Sequence, residues 1–318
     1  MTQTVSVLIP TLNASQYLQK QLDALHAQTI RVSEIVIIDS QSDDRTCAIA
    51  SADPLCRVIS IEKVDFDHGG TRNLAARTCH SEYLWFLTQD AIPANEYCLE
   101  ELLNAVQEAD IACAYARQIA SEDATQIEKL NRLANYPLEG FVRSKEDIQA
   151  LQIRAFFLSN SCCLYKRDIY ERCGGFQNYL PTNEDMLMAS TFLYSGYRTA
   201  YCAKACVYHT HNMTLKQWYQ RSFDTGAFLE MYSRQLHGVA SQSAGKKYVF
   251  FIMTQLLKKR RIFSVFYFCL ICVARFLGDY MGHNFVVFSK RSILRKTQNP
   301  AFWQKYLNDN SATYTIDD

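Results

Sequence analysis

The apolar positions of the first 117 residues fall into short unbroken runs, most of them followed by a stretch in which apolar residues recur at helical spacing. Val5-Ser6-Val7-Leu8-Ile9 is a β-branched run stopped by Pro10, and the turn Pro10-Thr11-Leu12-Asn13 leads into a helix with Leu18, Leu22 and Leu25 on one face. Ile35-Val36-Ile37-Ile38 repeats the strand and closes on Asp39, and Val58-Ile59-Ser60-Ile61 gives a third. Tyr83-Leu84-Trp85-Phe86-Leu87 is a fourth, apolar on both faces as a strand inside a parallel sheet is, and it runs out into Thr88-Gln89-Asp90. Asn95 is placed to cap a helix that buries Leu99, Leu102, Leu103 and Val106, and Ile111 to Ala116 supplies a further strand. This alternation predicts an α/β fold with a doubly wound, mainly parallel sheet.

Beyond residue 117 the alternation fades. Ser121 to Ala150 is polar and shows no strand, Phe156 to Tyr165 is strand-like, Gly174-Gly175 marks a turn, and Leu180-Pro181-Thr182-Asn183-Glu184-Asp185 opens a helix expected to end at Gly196. From Lys246 onward the character changes. Tyr248 to Leu257 and Ile262 to Ala274 are apolar, divided by the basic block Lys258-Lys259-Arg260-Arg261 and ended by Arg275. Divided in this way, neither run reaches the roughly 20 residues that cross a bilayer. With Lys290, Arg291, Arg295 and Lys296 they fit helices lying on an anionic membrane face, and fit as well a helical subdomain packed on the sheet or on a second copy of the chain.

Composition narrows the classes of partner. Lys+Arg 33 against Asp+Glu 32 leaves a net charge of +1, and no segment resembles a nucleic-acid-binding module, so nucleic acid is not an expected partner. Met1 to Val5 carries no basic region ahead of an apolar segment, so the chain is expected to stay in the cytosol. Its twelve cysteines are then expected as reduced thiols, several of them (Cys113, Cys162, Cys163, Cys269, Cys272) lying inside apolar runs as small hydrophobes.

Four places carry candidate chemistry. Asp90 leaves the carboxyl end of a buried strand, where ligands of open α/β sheets bind, and points to a metal or phosphate site; the alternative is a turn or cap. Asp65 to Asn73, with Gly69, Gly70 and Arg72 ahead of a helix, has the outline of a diphosphate-binding device, although a Gly-Gly turn with a surface arginine has the same look. Thr182 and Asp185 fit a capping box and acids suit the first turn of a helix, so from the residues alone Glu184 and Asp185 read as caps. Cys202, Cys206, His209 and His211 match none of the usual zinc spacings, and one histidine, His209 or His211, would instead join Asp90 on a divalent ion.

The segments Val7 to Asn13, Ile37 to Asp44, Leu87 to Ala91 and Asn183-Glu184-Asp185, in this order and at domain-sized spacing, resemble the family 2 inverting glycosyltransferases of GT-A fold over roughly the first 215 residues. His68-Gly69-Gly70-Thr71-Arg72-Asn73, Thr88-Gln89-Asp90-Ala91 and Arg275 to Gly282 look most like bacterial rhamnosyltransferases of surface-polysaccharide assembly. The resemblance implies a Rossmann-like GT-A domain over 1–215, with a nucleotide-binding half (1–117) and an acceptor half (118–215), and a C-terminal helical extension over 216–318. It also implies that Pro10, Thr11, Asn13 and Asp39 hold base and ribose, that Asp67, His68, Gly69, Arg72 and Gln89 flank the donor, and that Asn183 and Glu184 lie on the acceptor side. Asp185 matches the catalytic base. Asp90 matches the last acid of the family's metal motif, with Thr88 where the first acid usually stands, so that Mg²⁺ or Mn²⁺ would rest on one carboxylate, the donor diphosphate and water. The expected partners are dTDP-rhamnose or another nucleotide sugar such as a UDP-hexose, a lipid-linked glycan acceptor and the inner face of the cytoplasmic membrane. A homo-oligomer or a non-catalytic nucleotide-sugar-binding module are the alternatives left open.

Overall fold

The computed structural model describes residues 3–236 and 244–309. Its strands, β1 (Val5–Thr11), β2 (Glu34–Asp39), β3 (Cys56–Ser60), β4 (Tyr83–Leu87), β5 (Ile92–Pro93), β6 (Ile111–Ile119), β7 (Phe141–Arg143), β8 (Cys162–Lys166) and β9 (Arg198–Tyr208), form one sheet. The order is β3-β2-β1-β4-β8-β6-β9-β5, with β7 paired to β9 outside this path. The first four strands are mutually parallel, with Leu8 opposite Val36 on one side and Phe86 on the other. β8 then runs antiparallel between β4 and β6, and β9 returns parallel to β6.

The helices of the first half are α1 (Ser15–His26), α2 (Thr46–Ala52), α3 (His68–Arg77) and α4 (Cys98–Ala105). α5 (Gln126–Asn135), α6 (Ile148–Leu151), α7 (Arg167–Arg172) and α8 (Glu184–Tyr194) follow. The C-terminal part is helical: α9 (Leu215–Met231), α10 (Ala244–Lys258), α11 (Ile262–His283), α12 (Lys290–Lys296) and α13 (Pro300–Asp309).

Alternation along the strands builds a core on each face of the sheet. Leu8, Val36, Ile38, Leu84 and Phe86 pack on one side, and Val7, Ile9, Ile35, Ile37, Trp85 and Leu87 on the other. From β1 the chain moves outward to β2 and β3, and β4 then takes the opposite side of β1. The strand order therefore reverses between β1 and β4, and the crevice beyond their carboxyl ends is where such sheets bind ligands.

Three expectations change. The 121–150 stretch is structured: Thr125 caps α5 by accepting from Glu128 N at 3.2 Å, and β7 pairs with β9. The strand expected over Phe156 to Tyr165 begins only at Cys162, because Phe156 closes a 3-10 turn with its ring buried. The apolar run from Ile262 continues through Arg275 into one helix of 22 residues, with mean hydropathy 1.8 over an 18-residue stretch of it, long and apolar enough to cross a membrane. Arg275 does not end it because its guanidinium stacks on Trp218 and Tyr248, with ring centroids at 5.3 and 5.2 Å.

Candidate active site

The turn after β4 is held rigidly. Ala91 N donates to Thr88 O at 3.1 Å, and the fully buried Gln21 donates from Nε2 to both Thr88 O (2.8 Å) and Ala91 O (2.7 Å). Asp90 is thereby presented toward the end of β9, where His209 Nε2 lies 3.4 Å from Oδ1 and His211 Nε2 lies 3.6 Å from Oδ2. The ligand atoms of all three residues lie within 4.8 Å of one another.

The orientation of His209 follows from its neighbour. Gln118 Oε1 accepts from Arg132 Nη1 and is 2.8 Å from His209 Nδ1, while Gln118 Nε2 donates to Ser159 Oγ at 2.8 Å. Nδ1 therefore carries the proton, and in the neutral ring Nε2 turns its lone pair toward the Asp90 carboxylate. Two acceptors facing each other need a proton or a cation between them. Burial raises the Asp90 pKa, but the neighbouring His209 and His211 outweigh it and hold the carboxyl well below its usual range. His211 is pushed down to about 4 by burial and by His209.

At the crevice between β1 and β4, Gln89 grips the loop after β1, accepting from Leu12 N (2.7 Å) and donating to Leu12 O (3.2 Å). Asp39, buried, accepts from Thr11 Oγ1 (2.9 Å), Ser42 N (2.8 Å) and Ser42 Oγ (2.6 Å), bonds that lower its pKa against the cost of burial. Asn13 takes a left-handed backbone (φ 52°), donates from N to Ser42 Oγ at 2.8 Å and accepts from Asp43 N at 3.0 Å. Pro10 lies within β1 just ahead. Thr11, Asn13, Asp39 and Gln89 thus shape one loop wall with their own side chains.

The segment expected as a glycine-rich phosphate loop is the first turn of α3. Asp67 caps it, accepting from Gly70 N at 2.6 Å, and so places a negative charge where a phosphate would sit. A Cβ on Gly69 would lie 2.2 Å from Gln177 O, so the close approach this glycine permits is to protein backbone. Arg72 does not fork outward. Its Nη1 donates to His68 O (2.9 Å) and to Glu184 Oε1 (2.9 Å), with the two charged side chains only 5% and 9% exposed. His68, at the start of this helix, is pushed down by burial.

That ion pair underlies the start of α8. Asn183, left-handed at φ 62°, leads into the helix with no side-chain cap, so the capping alternative for Glu184 and Asp185 is not what the structure shows. Glu184 also accepts from Asn160 Nδ2 at 3.1 Å, and Asn160 Oδ1 accepts from Tyr165 OH at 2.7 Å. Asp185 accepts from Asn160 N (3.3 Å) and Met186 N (2.8 Å), and its carboxyl is pushed up to about 7 by burial and by the Glu184 charge. Asn160, Gln118 and Gln21 carry no motif and escaped sequence reasoning. So did Arg221 on α9, which is within electrostatic reach of Asp185 and His211 and has no ion-pair partner among the described residues.

The mainly parallel sheet flanked by helices, with a crevice beyond β1 and β4 and the Asp90, His209 and His211 cluster at the end of β9, has the form of a GT-A glycosyltransferase domain. The chain belongs to glycosyl transferase family 2, whose profile matches residues 6–174. It is 40% identical over 225 residues to the O-antigen chain rhamnosyltransferase RfbN of Salmonella typhimurium, covering 70% of this chain and 72% of that protein. The O-antigen chain rhamnosyltransferase WbaN of Salmonella anatum is likewise 40% identical over 225 residues, covering 70% and 71%. Among solved structures, S. aureus TarS 1-349 in complex with UDP aligns with TM-score 0.54 and 16% identity over 80% of this chain and 71% of that one. The mannosyltransferase PcManGT from Pyrobaculum calidifontis, in complex with GDP-Man and Mn²⁺, aligns with TM-score 0.55 and 14% identity over 98% and 81%. At such identities these two show the shared fold.

Proposed function

We propose that the protein is an inverting rhamnosyltransferase that moves L-rhamnose from dTDP-β-L-rhamnose onto a lipid-linked glycan in surface-polysaccharide assembly, at the inner face of the cytoplasmic membrane. The Salmonella relatives carry the donor and pathway reading. The chemical reading rests on Asp185, a carboxyl held at about 7 at the mouth of α8. Its ionised form takes the proton of the acceptor hydroxyl as that oxygen attacks the anomeric carbon opposite the leaving diphosphate, and a base of this strength is well matched to neutral pH. Inversion of a β-L donor gives an α-L-rhamnoside.

Pro10, Thr11, Asn13, Asp39 and Gln89 form the nucleotide wall, with Asn183 on the acceptor side. Arg72 acts through Glu184: the pair fixes the first turn of α8 and places a negative charge next to Asp185. Arg221, in no ion pair among the described residues, is available to meet a phosphate. Asp90, His209 and His211 would hold a divalent ion, and the donor set fits one, since the His209 lone pair faces a carboxylate and Gln118, bonded to the ring's other nitrogen, fixes the ring as the hydrogen-bond partners of metal-ligating histidines do. Such an ion supplies charge neutralisation for the departing diphosphate. Two imidazoles favour Mn²⁺ over Mg²⁺. In this reading residues 1–215 hold the chemistry and 216–318 support it, Arg221 apart.

A donor panel tests the proposal. Purified protein is given dTDP-rhamnose, UDP-glucose, UDP-galactose and UDP-GlcNAc, each with Mn²⁺, Mg²⁺ or EDTA. Metal-dependent turnover selective for dTDP-rhamnose is expected. The UDP and GDP-mannose complexes of the structural neighbours favour a second reading, a hexose donor on the same site, which turnover of a UDP-sugar alone would establish.

A further inference from the structure

α11 has two apolar faces, and only one is covered. On the covered face Phe268 and Ile271 pack with Ile252 and Leu256 of α10 and Ile127 and Leu130 of α5. Further along, the helix is knit into α9 at backbone distance: a Cβ on Gly278 would lie 2.3 Å from Tyr219 O, and one on Gly282 would lie 2.2 Å from Phe223 O. The opposite face is bare among the described residues, with Phe263 92%, Phe266 67%, Val273 55%, Leu277 42% and Tyr280 61% exposed. Their three- and four-residue spacings, with Leu270 between, make a continuous stripe ~26 Å long at 1.5 Å per residue.

The end of the stripe with the most exposed ring abuts Lys258, Lys259, Arg260 and Arg261, all exposed and none in an ion pair among the described residues. We infer that α11 lies in the plane of an anionic bilayer surface, its aromatic stripe inserted among the acyl chains at headgroup depth and its basic block on the lipid phosphates. The charge pattern chooses this occupant over a second copy of the chain, because the only acid from Lys258 to His283 is Asp279, so an identical helix offers the four cations almost nothing to pair with. The covered face decides the geometry. A helix locked to α9 through Gly278 and Gly282, with Arg275 clamped between Trp218 and Tyr248, cannot leave the protein to span the bilayer although its length allows it. α9, on which α11 packs, begins four residues after His211, so the anchor lies next in sequence to the Asp90, His209 and His211 cluster.

The test is flotation of the purified full chain with phosphatidylcholine vesicles and with vesicles containing one quarter phosphatidylglycerol, at 0.1 and 0.5 M NaCl, alongside light-scattering mass measurement. Binding to the anionic vesicles is expected, about tenfold weaker on neutral lipid or at high salt. It should be released by alkaline carbonate, which leaves spanning helices in place. The double variant F263E/F266E, altered only at exposed positions, should keep its melting temperature and lose flotation. A carbonate-resistant protein would overturn the in-plane geometry. Absence from both vesicles, with a dimer that F263E/F266E dissociates, would assign the face to self-association instead.

Discussion

Replacing Glu184 with Gln removes one charge beside the proposed base and leaves its shape nearly intact. The Asp185 carboxyl stands at about 7, roughly three units above an ordinary aspartate, with burial the larger cause and the Glu184 charge the second. Losing a neighbouring like charge lowers a carboxyl pKa by about one unit or more, so the variant's Asp185 pKa should fall by at least that much, and the Arg72 guanidinium, now without its carboxylate, adds to the fall. Activity needs ionised Asp185, so the acid limb of the kcat profile rises through pH ~7 in the wild type and through pH ~6 or below in the variant. The same substitution strands Arg72 in a site where its side chain is 5% exposed, at a cost of about 3 kcal/mol in unfolding free energy. The assay is kcat against pH from 5 to 9 at saturating donor, with denaturation curves in parallel. A folded variant whose acid limb stays where the wild-type limb lies would refute the coupling and, with it, the reading of Arg72 as acting through Glu184.

Two further outcomes follow from the same contacts. His209→Ala or Gln118→Leu should raise the Mn²⁺ concentration for half-maximal activity by about 10- to 100-fold with little change in saturating kcat for the Gln118 variant, because Gln118 only orients the ring; metal titration of activity and of intrinsic fluorescence checks this. Asp224 accepts from Thr297 Oγ1 (2.6 Å), Gln298 N (2.8 Å) and Trp303 Nε1 (2.9 Å), so Asp224→Ala leaves the buried Thr297 and Trp303 donors and the Gln298 N–H without partners and should cost about 3 kcal/mol, a fall of roughly 4–5 °C in Tm by calorimetry.

The parallel half of the sheet was legible because Leu84 to Leu87 and Ile35 to Ile38 are buried on both faces and bracketed by turn residues. β9 was not, since Cys202, Ala203, Lys204, Ala205 and Cys206 have weak strand propensity and read more readily as a ligand-bearing stretch. Asp90 and the two histidines were legible as residue types, but only the β6–β9 pairing, with Ile119 opposite Tyr208, brings His209 beside Gln118 and fixes which nitrogen faces Asp90. The packing of the segment around Gly69 was not legible, for a physical reason. Glycines ahead of a helix serve a phosphate and a close backbone neighbour equally well, and the capping acid Asp67 and the partner Glu184, 112 residues from Arg72, decide for the latter. The length of α11 was hidden by Arg275, whose charge is masked by two rings from other helices.

The central claim is that Asp185 is the base of an inverting glycosyl transfer. The most direct measurement compares wild type and Asp185→Asn for dTDP-rhamnose binding by calorimetry and for transfer to acceptor at equal donor occupancy. The account predicts donor affinity within about threefold of wild type and a loss of transfer of about 10³-fold or more. Undiminished transfer by the Asn variant would remove Asp185 from the chemistry and contradict the account.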